Sequence, residues 1–576
     1  MQVIAFLILF VLGRAVSLVL YRMCWSNGVS GKFAAQGVMF SLLRRPLPWL
    51  AHFAFMWPTA GLSWETWPVL HGASVMLAGL LALGATGRFG SVDLGRFFFP
   101  DRLLALALAA GVLFSPVFIY PCLVACCCLQ YTVASWRLGP GYSNLLGYEF
   151  VRASLSVLIA GITFYGWIRI IGVDWNDFEN QALAVLLGFQ ASTYVNHALA
   201  KSALGPKWNS WIRENRIQCL FANAWLRGWT LGRSKECILK QTRWFGRHRV
   251  KICAVGWMLE ASWLLILADP CLALAILSLT IVLHLAVFLL TGLAAYQYVV
   301  NHLFFIGLIL FCEPGKIFGQ QNLIACTIAI PVAALWIGWL RRRIFAEYQR
   351  SGTPGSGGVF ADAADHLMAW WDTPFMRMYS YTLETCGGER FALPVPKLSP
   401  HDTALTDIHT HLMILGQHAD FDPGIKPDRA IVRTGVWGLT VHREDRDFLY
   451  RLMNEPESEV RAILSPGQPL PPWSLGLHGG GPEAATPLRV LFEGMNREMK
   501  NKWFRGVLRW PHFPGEDLAP DQCPLAAQPL KCFRFDQAIA SVTLWRIKTF
   551  SNEEKIFLIE QEMVGCIHLA APQTQP

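Results

Sequence analysis

The chain has 576 residues, a net charge of +9, 53% hydrophobic residues and 15% charged residues. A soluble domain carries about 25% charged residues, so the first two-thirds of the chain, where the deficit lies, is excluded as ordinary water-soluble sequence. None of the 15 Cys forms a Cys-x-x-Cys pair in a zinc spacing, and Cys126-Cys127-Cys128 sits in an apolar run. A disulfide framework is therefore not expected.

In chain order, the runs apolar enough to cross a bilayer are Val3–Tyr21, Val69–Thr86, Leu103–Val133, Val151–Ile171, Ala182–Ala203, Ile252–Ala268, Cys271–Thr291, Gly292–Phe311 and Leu323–Leu340. A span needs ~20 residues. Leu103–Val133 is longer and holds Pro116 and Pro121, so it reads as one kinked helix or a tight pair. The first run has no preceding Lys or Arg and is interrupted by Arg14, unlike a cleaved signal peptide. It reads as an anchor or interfacial helix. The Trp residues cluster near segment ends, as an interfacial belt would. The expected fold is a polytopic α-helical membrane bundle of about eight or nine spans, over residues 1–348.

The excess charge falls in two places. Arg227, Arg233, Lys235, Lys240, Arg243, Arg247, Arg249 and Lys251 face one acid, Glu236, in what reads as a basic loop. Arg341-Arg342-Arg343 closes the last span. By the positive-inside tendency both are cytoplasmic, and the short acidic loop Asp174–Glu179 lies outside. Such a basic stretch beside a bilayer suits anionic lipid headgroups, and no nucleic acid partner is expected.

Residues 349–360 hold Ser351-Gly-Thr-Pro-Gly-Ser-Gly-Gly358 and read as a flexible linker. Residues 361–576 have the composition of a soluble α+β domain, placed in the cytoplasm by the charge rule. A helix-like piece, Ala361–Trp371, precedes a β-hairpin over residues 379–396, where Tyr379, Tyr381 and Leu383 alternate with polar residues and Gly387-Gly388 supplies the turn. Helical patterns follow at Asp445–Asn454 and Pro487–Lys500, and strand patterns at Ala540–Lys548 and Phe557–Ile559.

Four polar residues interrupt the apolar spans. Lys201 lies near the end of its helix and either snorkels to the surface or takes part in chemistry. His197 is four residues earlier, on the same helix face, so the two can form a proton-handling pair. Glu260 lies in Trp257-Met-Leu-Glu260 and needs a partner, whether structural or functional. His284 reads as either a hydrogen-bonded packing residue or a catalyst. Asn301-His302 reads as a turn or interface cap between two spans. If Lys201 is a base, Lys201→Met is expected to fold and Lys201→Arg to fail in activity.

The run Asn196–Trp208, followed by Glu260 and His284 in later spans, resembles the vitamin K-dependent γ-carboxylase-like superfamily, or horizontally transferred transmembrane (HTTM) domain. Gly141-Tyr-Ser-Asn144-Leu-Leu-Gly-Tyr148 takes the place of that family's polar turn, and Arg377-Met-Tyr-Ser-Tyr-Thr resembles its first β segment. The resemblance covers residues 100–396, with the HTTM-like core over 100–345. Tyr142-Ser143-Asn144 stands where the carboxylases carry His, so vitamin K-dependent carboxylation itself is not implied.

The resemblance implies a lipophilic ligand such as a quinone, with Lys201 as base and His197, Glu260 and His284 in its proton chemistry. A cytoplasmic soluble domain departs from the eukaryotic carboxylases, whose soluble part faces the lumen. The alternative is a non-enzymatic accessory or maturation protein whose soluble domain binds a client protein. A transporter is disfavoured by the lack of symmetric halves. A metal-dependent hydrolase would rest on Asp407, His409 and His411, since His at i and i+2 on a strand share a face. That barrel needs about 250 residues, more than the soluble part offers. No phosphate-binding loop, dinucleotide fingerprint or nucleophile elbow is present.

Overall fold

The computed structural model describes residues 46–60, 68–87, 99–123, 125–126, 161–172, 178–203, 207–226, 233–291, 296–311, 375–393, 503–509, 531–534, 539–551 and 556–568, with single positions at 155, 158 and 318. The expected spans Val3–Tyr21 and Leu323–Leu340, the linker, the patterns Ala361–Trp371, Asp445–Asn454 and Pro487–Lys500, and the Asp407/His409/His411 motif lie outside them.

The helices are α1 (Pro46–Met56), α2 (Pro68–Gly87), α3 (Phe99–Gly111), α4 (Phe178–Ala203), α5 (Ser210–Glu214), α6 (Cys219–Leu226), α7 (Lys235–Ser262), α8 (Pro270–Thr291) and α9 (Tyr296–Phe311). Among the described residues, Pro270–Leu290 is the one helix long and apolar enough to cross a membrane. Pro68–Leu83, Arg102–Gly111 and Tyr298–Phe311 are shorter apolar helices. On α8 the apolar Leu279, Val282, Leu285 and Leu289 are exposed along one stripe, while Ala273, Ile276, Leu277 and Thr280 are buried on the other side.

The long run at Leu103–Val133 does not continue as one helix. α3 ends at Gly111, and Ser115 is extended, its hydroxyl accepting from the Val117 amide at 3.4 Å. Pro116 then opens a short 3-10 turn, Pro116–Phe118. A Cβ on residue 111 would stand 2.8 Å from the Phe118 ring, so glycine is what lets the chain fold back there. His71 Nε2 on α2 lies 2.5 Å from the Val112 carbonyl and ties the two helices at this break.

Glu179 is not part of a free acidic loop. It sits in the first turn of α4, and its Oε1 accepts from the amides of Val69 and Leu70 at 3.0 and 2.9 Å. A carboxylate from one helix thus caps the amino end of another, where orphan N–H groups and the helix dipole favour negative charge.

The basic segment also differs from the expected loop. From Lys235 onward it is helix, the first turns of α7. Ser234 caps it, its hydroxyl accepting from the Cys237 amide at 3.3 Å. The following residues lack Pro, and Lys, Arg, Gln and Glu are good helix formers. Lys240, Arg243, Arg247 and Lys251 are exposed on one face, while Ile238, Thr242 and Cys253 are buried on the other. Phe245 packs its ring 4.2 Å from that of Phe221 on α6.

The strands are β1 (Phe375–Thr385), β2 (Arg390–Leu393), β3 (Trp503–Arg509), β4 (Lys531–Arg534), β5 (Ile539–Ser551) and β6 (Ile556–His568). They form one antiparallel sheet in the order β4-β3-β2-β1-β5-β6. β1 and β2 are joined through Cys386–Glu389, with Gly388 at a φ of 79° and the Thr385 amide donating to the Glu389 carbonyl at 2.8 Å. That φ favours glycine.

Candidate functional site

α4 and α7 run antiparallel and meet along a polar seam. On α4 the positions are Tyr194, Ala198, Lys201 and Ser202; on the facing segment they are Trp257, Glu260 and Trp263, three residues apart. Trp257 Nε1–H reaches both the Ala198 carbonyl and the Ser202 hydroxyl at 3.0 Å. Lys201 Nζ donates to Glu260 Oε1 at 2.5 Å. The Trp263 ring, in a 3-10 turn that continues α7, stacks on Tyr194 at 4.3 Å and 11°.

Lys201 is only 6% exposed, so its ammonium lies inside the helices. It also sits 4.5 Å above the Trp211 ring of α5, a cation–π contact that suits a desolvated ammonium. Glu260 Oε2 is buried and has no hydrogen-bond partner among the described residues. Burying two charges is costly, and the pair persists because each neutralises the other. The pair changes what is expected of Lys201→Met: removing the amine alone leaves the Glu260 carboxyl buried without its partner, so a loss of stability is expected.

The second half of the site lies two turns up α4. Tyr194 Oη is 2.8 Å from His284 Nε2 on α8 and 3.3 Å from His302 Nε2 on α9. The two imidazoles lie 5.9 Å apart at 26°, and His284 stacks on Tyr298 at 5.2 Å. Trp263 is held in turn by α8, its indole N–H donating to Thr280 Oγ1 at 3.1 Å. Thr280 itself donates to the Ile276 carbonyl at 2.7 Å.

The halves are joined through the stacked Tyr194 and Trp263 rings, since Trp263 follows Glu260 by three residues. His197 is half-buried, one turn before Lys201. All four sequence candidates, Lys201, His197, Glu260 and His284, thus belong to one connected region of α4, α7 and α8.

Asn301 and His302 do not mark a turn between spans. Both are fully buried in the middle of α9, because that face packs on the core with Tyr298 and Phe305. Tyr194, Trp263 and His302 belong to the site, although nothing in their own segments except spacing marks them as site residues. The available signals were the seven-residue spacing of Tyr194 and Lys201 and the three-residue spacing of Trp257, Glu260 and Trp263. The carboxamides of Gln190 and Asn301 and the Nδ1 of His302 are buried with no hydrogen-bond partner among the described residues. Each such atom costs about 1–3 kcal/mol, so a layer with several of them is one where polar groups are retained against packing. Among the described residues no group of three His, Cys, Asp or Glu is placed to hold a metal ion. No family model matches the chain, and neither a curated protein nor a solved structure is significantly similar to it.

Proposed function

We propose that this chain is an integral membrane protein that holds a lipophilic molecule, quinone-like or lipid-like, among its helices and moves a proton on it through Lys201 and Glu260. The observation that carries the reading is the buried Lys201–Glu260 pair beside Tyr194, His284 and His302. Within such a pair one proton moves from ammonium to carboxylate without any charge leaving the site. The resulting neutral amine is a base, and the protonated acid a donor. The resemblance to the γ-carboxylase-like superfamily points the same way. The exposed apolar stripe of α8 supports the membrane assignment, since a core helix of a soluble protein hides such residues.

A second reading is an accessory or maturation protein in which the pair is only a clamp. It is favoured by β6, thirteen residues long and paired only with β5 among the described residues. An open strand of that length is a place where an extended client segment adds to a sheet.

Mass spectrometry of an organic extract of the purified full-length protein distinguishes the two. An uncharged lipophilic molecule enriched over bulk lipid supports the first reading. An extract of bulk lipid alone, with a client protein retained, supports the second.

A further inference from the structure

The Tyr194 hydroxyl has one proton and stands between two imidazole nitrogens, at 2.8 Å from His284 Nε2 and 3.3 Å from His302 Nε2. It donates to one of them, and it accepts from the other only if that nitrogen carries hydrogen. Two arrangements satisfy all three atoms. In one, His302 Nε2–H donates to Tyr194 and Tyr194 donates to a bare His284 Nε2. In the other, every bond is reversed. The tautomers of two histidines on different helices are therefore tied to each other through one phenol.

We propose that His284, Tyr194 and His302 form a proton relay across the helix layer, with His302 Nδ1 at its inner end. A proton delivered to His302 Nδ1 by a water molecule or by a hydroxyl of the bound molecule makes that ring cationic. Its Nε2 proton passes to the Tyr194 oxygen, and the Tyr194 hydroxyl proton passes to His284 Nε2. The result is a neutral His302 protonated at Nδ1 and a cationic His284, which releases its Nδ1 proton to water. No electron moves and no bond to carbon changes, so the sequence balances with one proton in and one out.

Three features fit a relay better than simple packing. Tyr194 is clamped face-on by Trp263, which fixes the hydroxyl between its two partners. Both His302 and Tyr194 are buried, so bulk water does not compete for the bonds. The inner end, His302 Nδ1, has no partner among the described residues, so its lone pair is not already committed to a hydrogen bond there and is open to an incoming proton. The titratable groups acting on the relay are Glu260 and Tyr298 at Tyr194, His197 at His284, and His284 at His302. The inference extends the proton-transfer reading, on which it rests for what the protons are used for. The coupling itself rests on geometry alone.

The test is nitrogen NMR of the full-length protein in lipid, with ¹⁵N-histidine and with His284 and His302 assigned by His284→Gln and His302→Gln. In the wild type, one ring is expected to present a protonated Nε2 and the other a bare Nε2, and protonation of either ring fixes the other as the tautomer with a bare Nε2. Tyr194→Phe keeps the ring on Trp263 and removes the hydroxyl. In it the tautomer of each ring is expected no longer to follow the protonation of the other, while their electrostatic influence on each other remains, with melting temperature as the control for folding. Tautomers in the wild type that do not respond to the other ring's protonation, or a tautomer coupling that persists in Tyr194→Phe, overturns the relay. Should Tyr194→Phe fail to fold, the wild-type titration alone decides. None of these outcomes depends on finding a lipophilic ligand, so failure of the relay and failure of the proposed function are told apart.

Discussion

Tyr194 and Lys201 stand seven residues apart on α4, so the phenol and the ammonium share one helix face, about 10 Å apart along the axis. Each meets a different residue of the same facing segment, Trp263 for Tyr194 and Glu260 for Lys201. The seam between α4 and α7 is thus a single structural unit, and substitutions in it act in pairs.

Lys201→Met removes the counter-ion of a buried carboxylate and is expected to destabilise the protein by about 3–5 kcal/mol, the usual result of breaking one half of such a pair. Lys201→Met combined with Glu260→Met replaces both charges by apolar volume and is expected to recover most of that loss. Thermal unfolding of the four proteins of the cycle, in one lipid mixture, measures the coupling. A double variant that loses the sum of the two single losses would show that the charges do not depend on each other.

Thr280→Val takes away the acceptor of the Trp263 indole N–H and leaves a buried donor unpaired. The expected cost is about 1–3 kcal/mol. Adding Trp263→Phe removes the stranded donor as well, so the double variant should lose less than the sum of the singles. Chemical unfolding followed by fluorescence reads both effects.

Glu236 carries a pH effect at the amino end of α7. Its own backbone N–H, then the Ser234 hydroxyl, holds its carboxyl below the ordinary range at the amino end of α7. A lowered folded value means that the stabilisation is present above the unfolded value and is lost as pH falls through the folded one. Hydrogen exchange at the Cys237 and Ile238 amides should therefore speed up, relative to unfolded peptide, only at acid pH. Glu236→Gln should abolish that dependence.

The exposed face Lys240, Arg243, Arg247 and Lys251 of α7 is expected to lie on the cytoplasmic side with the soluble part of the chain. A Ser356→Cys label in a cysteine-depleted chain should react only from that side. Reaction only from outside would reverse the topology and restore agreement with the luminal arrangement of the carboxylases.

Much of the local structure was legible in the sequence, and the reasons are physical. Gly387-Gly388 with flanking alternation marks a hairpin turn, because φ near 79° suits only residues without Cβ constraint. Ala182–Ala203 and Cys271–Thr291 read as helices because long apolar runs leave the backbone few other ways to satisfy itself. The charge of the segment after Arg233 suggests a loop, but the alternation of Ile238 and Thr242 against Lys240 and Arg243 carries the helix. Asn301 and His302 misled for a related reason, since polar residues suggest a turn until a partner such as Tyr194 is seen. The pairing of Lys201 with Glu260 spans 59 residues and depends on tertiary packing. Periodicity within one segment does not report it.

The central claim, that the Lys201–Glu260 pair handles protons on a bound lipophilic molecule, is tested most directly by quantifying that molecule per chain in organic extracts. The wild type, Lys201→Arg and the Met/Met double variant are compared by mass spectrometry. The wild type is predicted to carry it near one per chain. Lys201→Arg keeps a cation opposite Glu260 and should retain the molecule but convert it slower by ~10²–10⁴, because guanidinium does not give up its proton. The folded double variant should lose the molecule altogether. Extracts that match bulk lipid in all three, or full conversion by Lys201→Arg, would contradict the claim and leave the pair as a structural clamp.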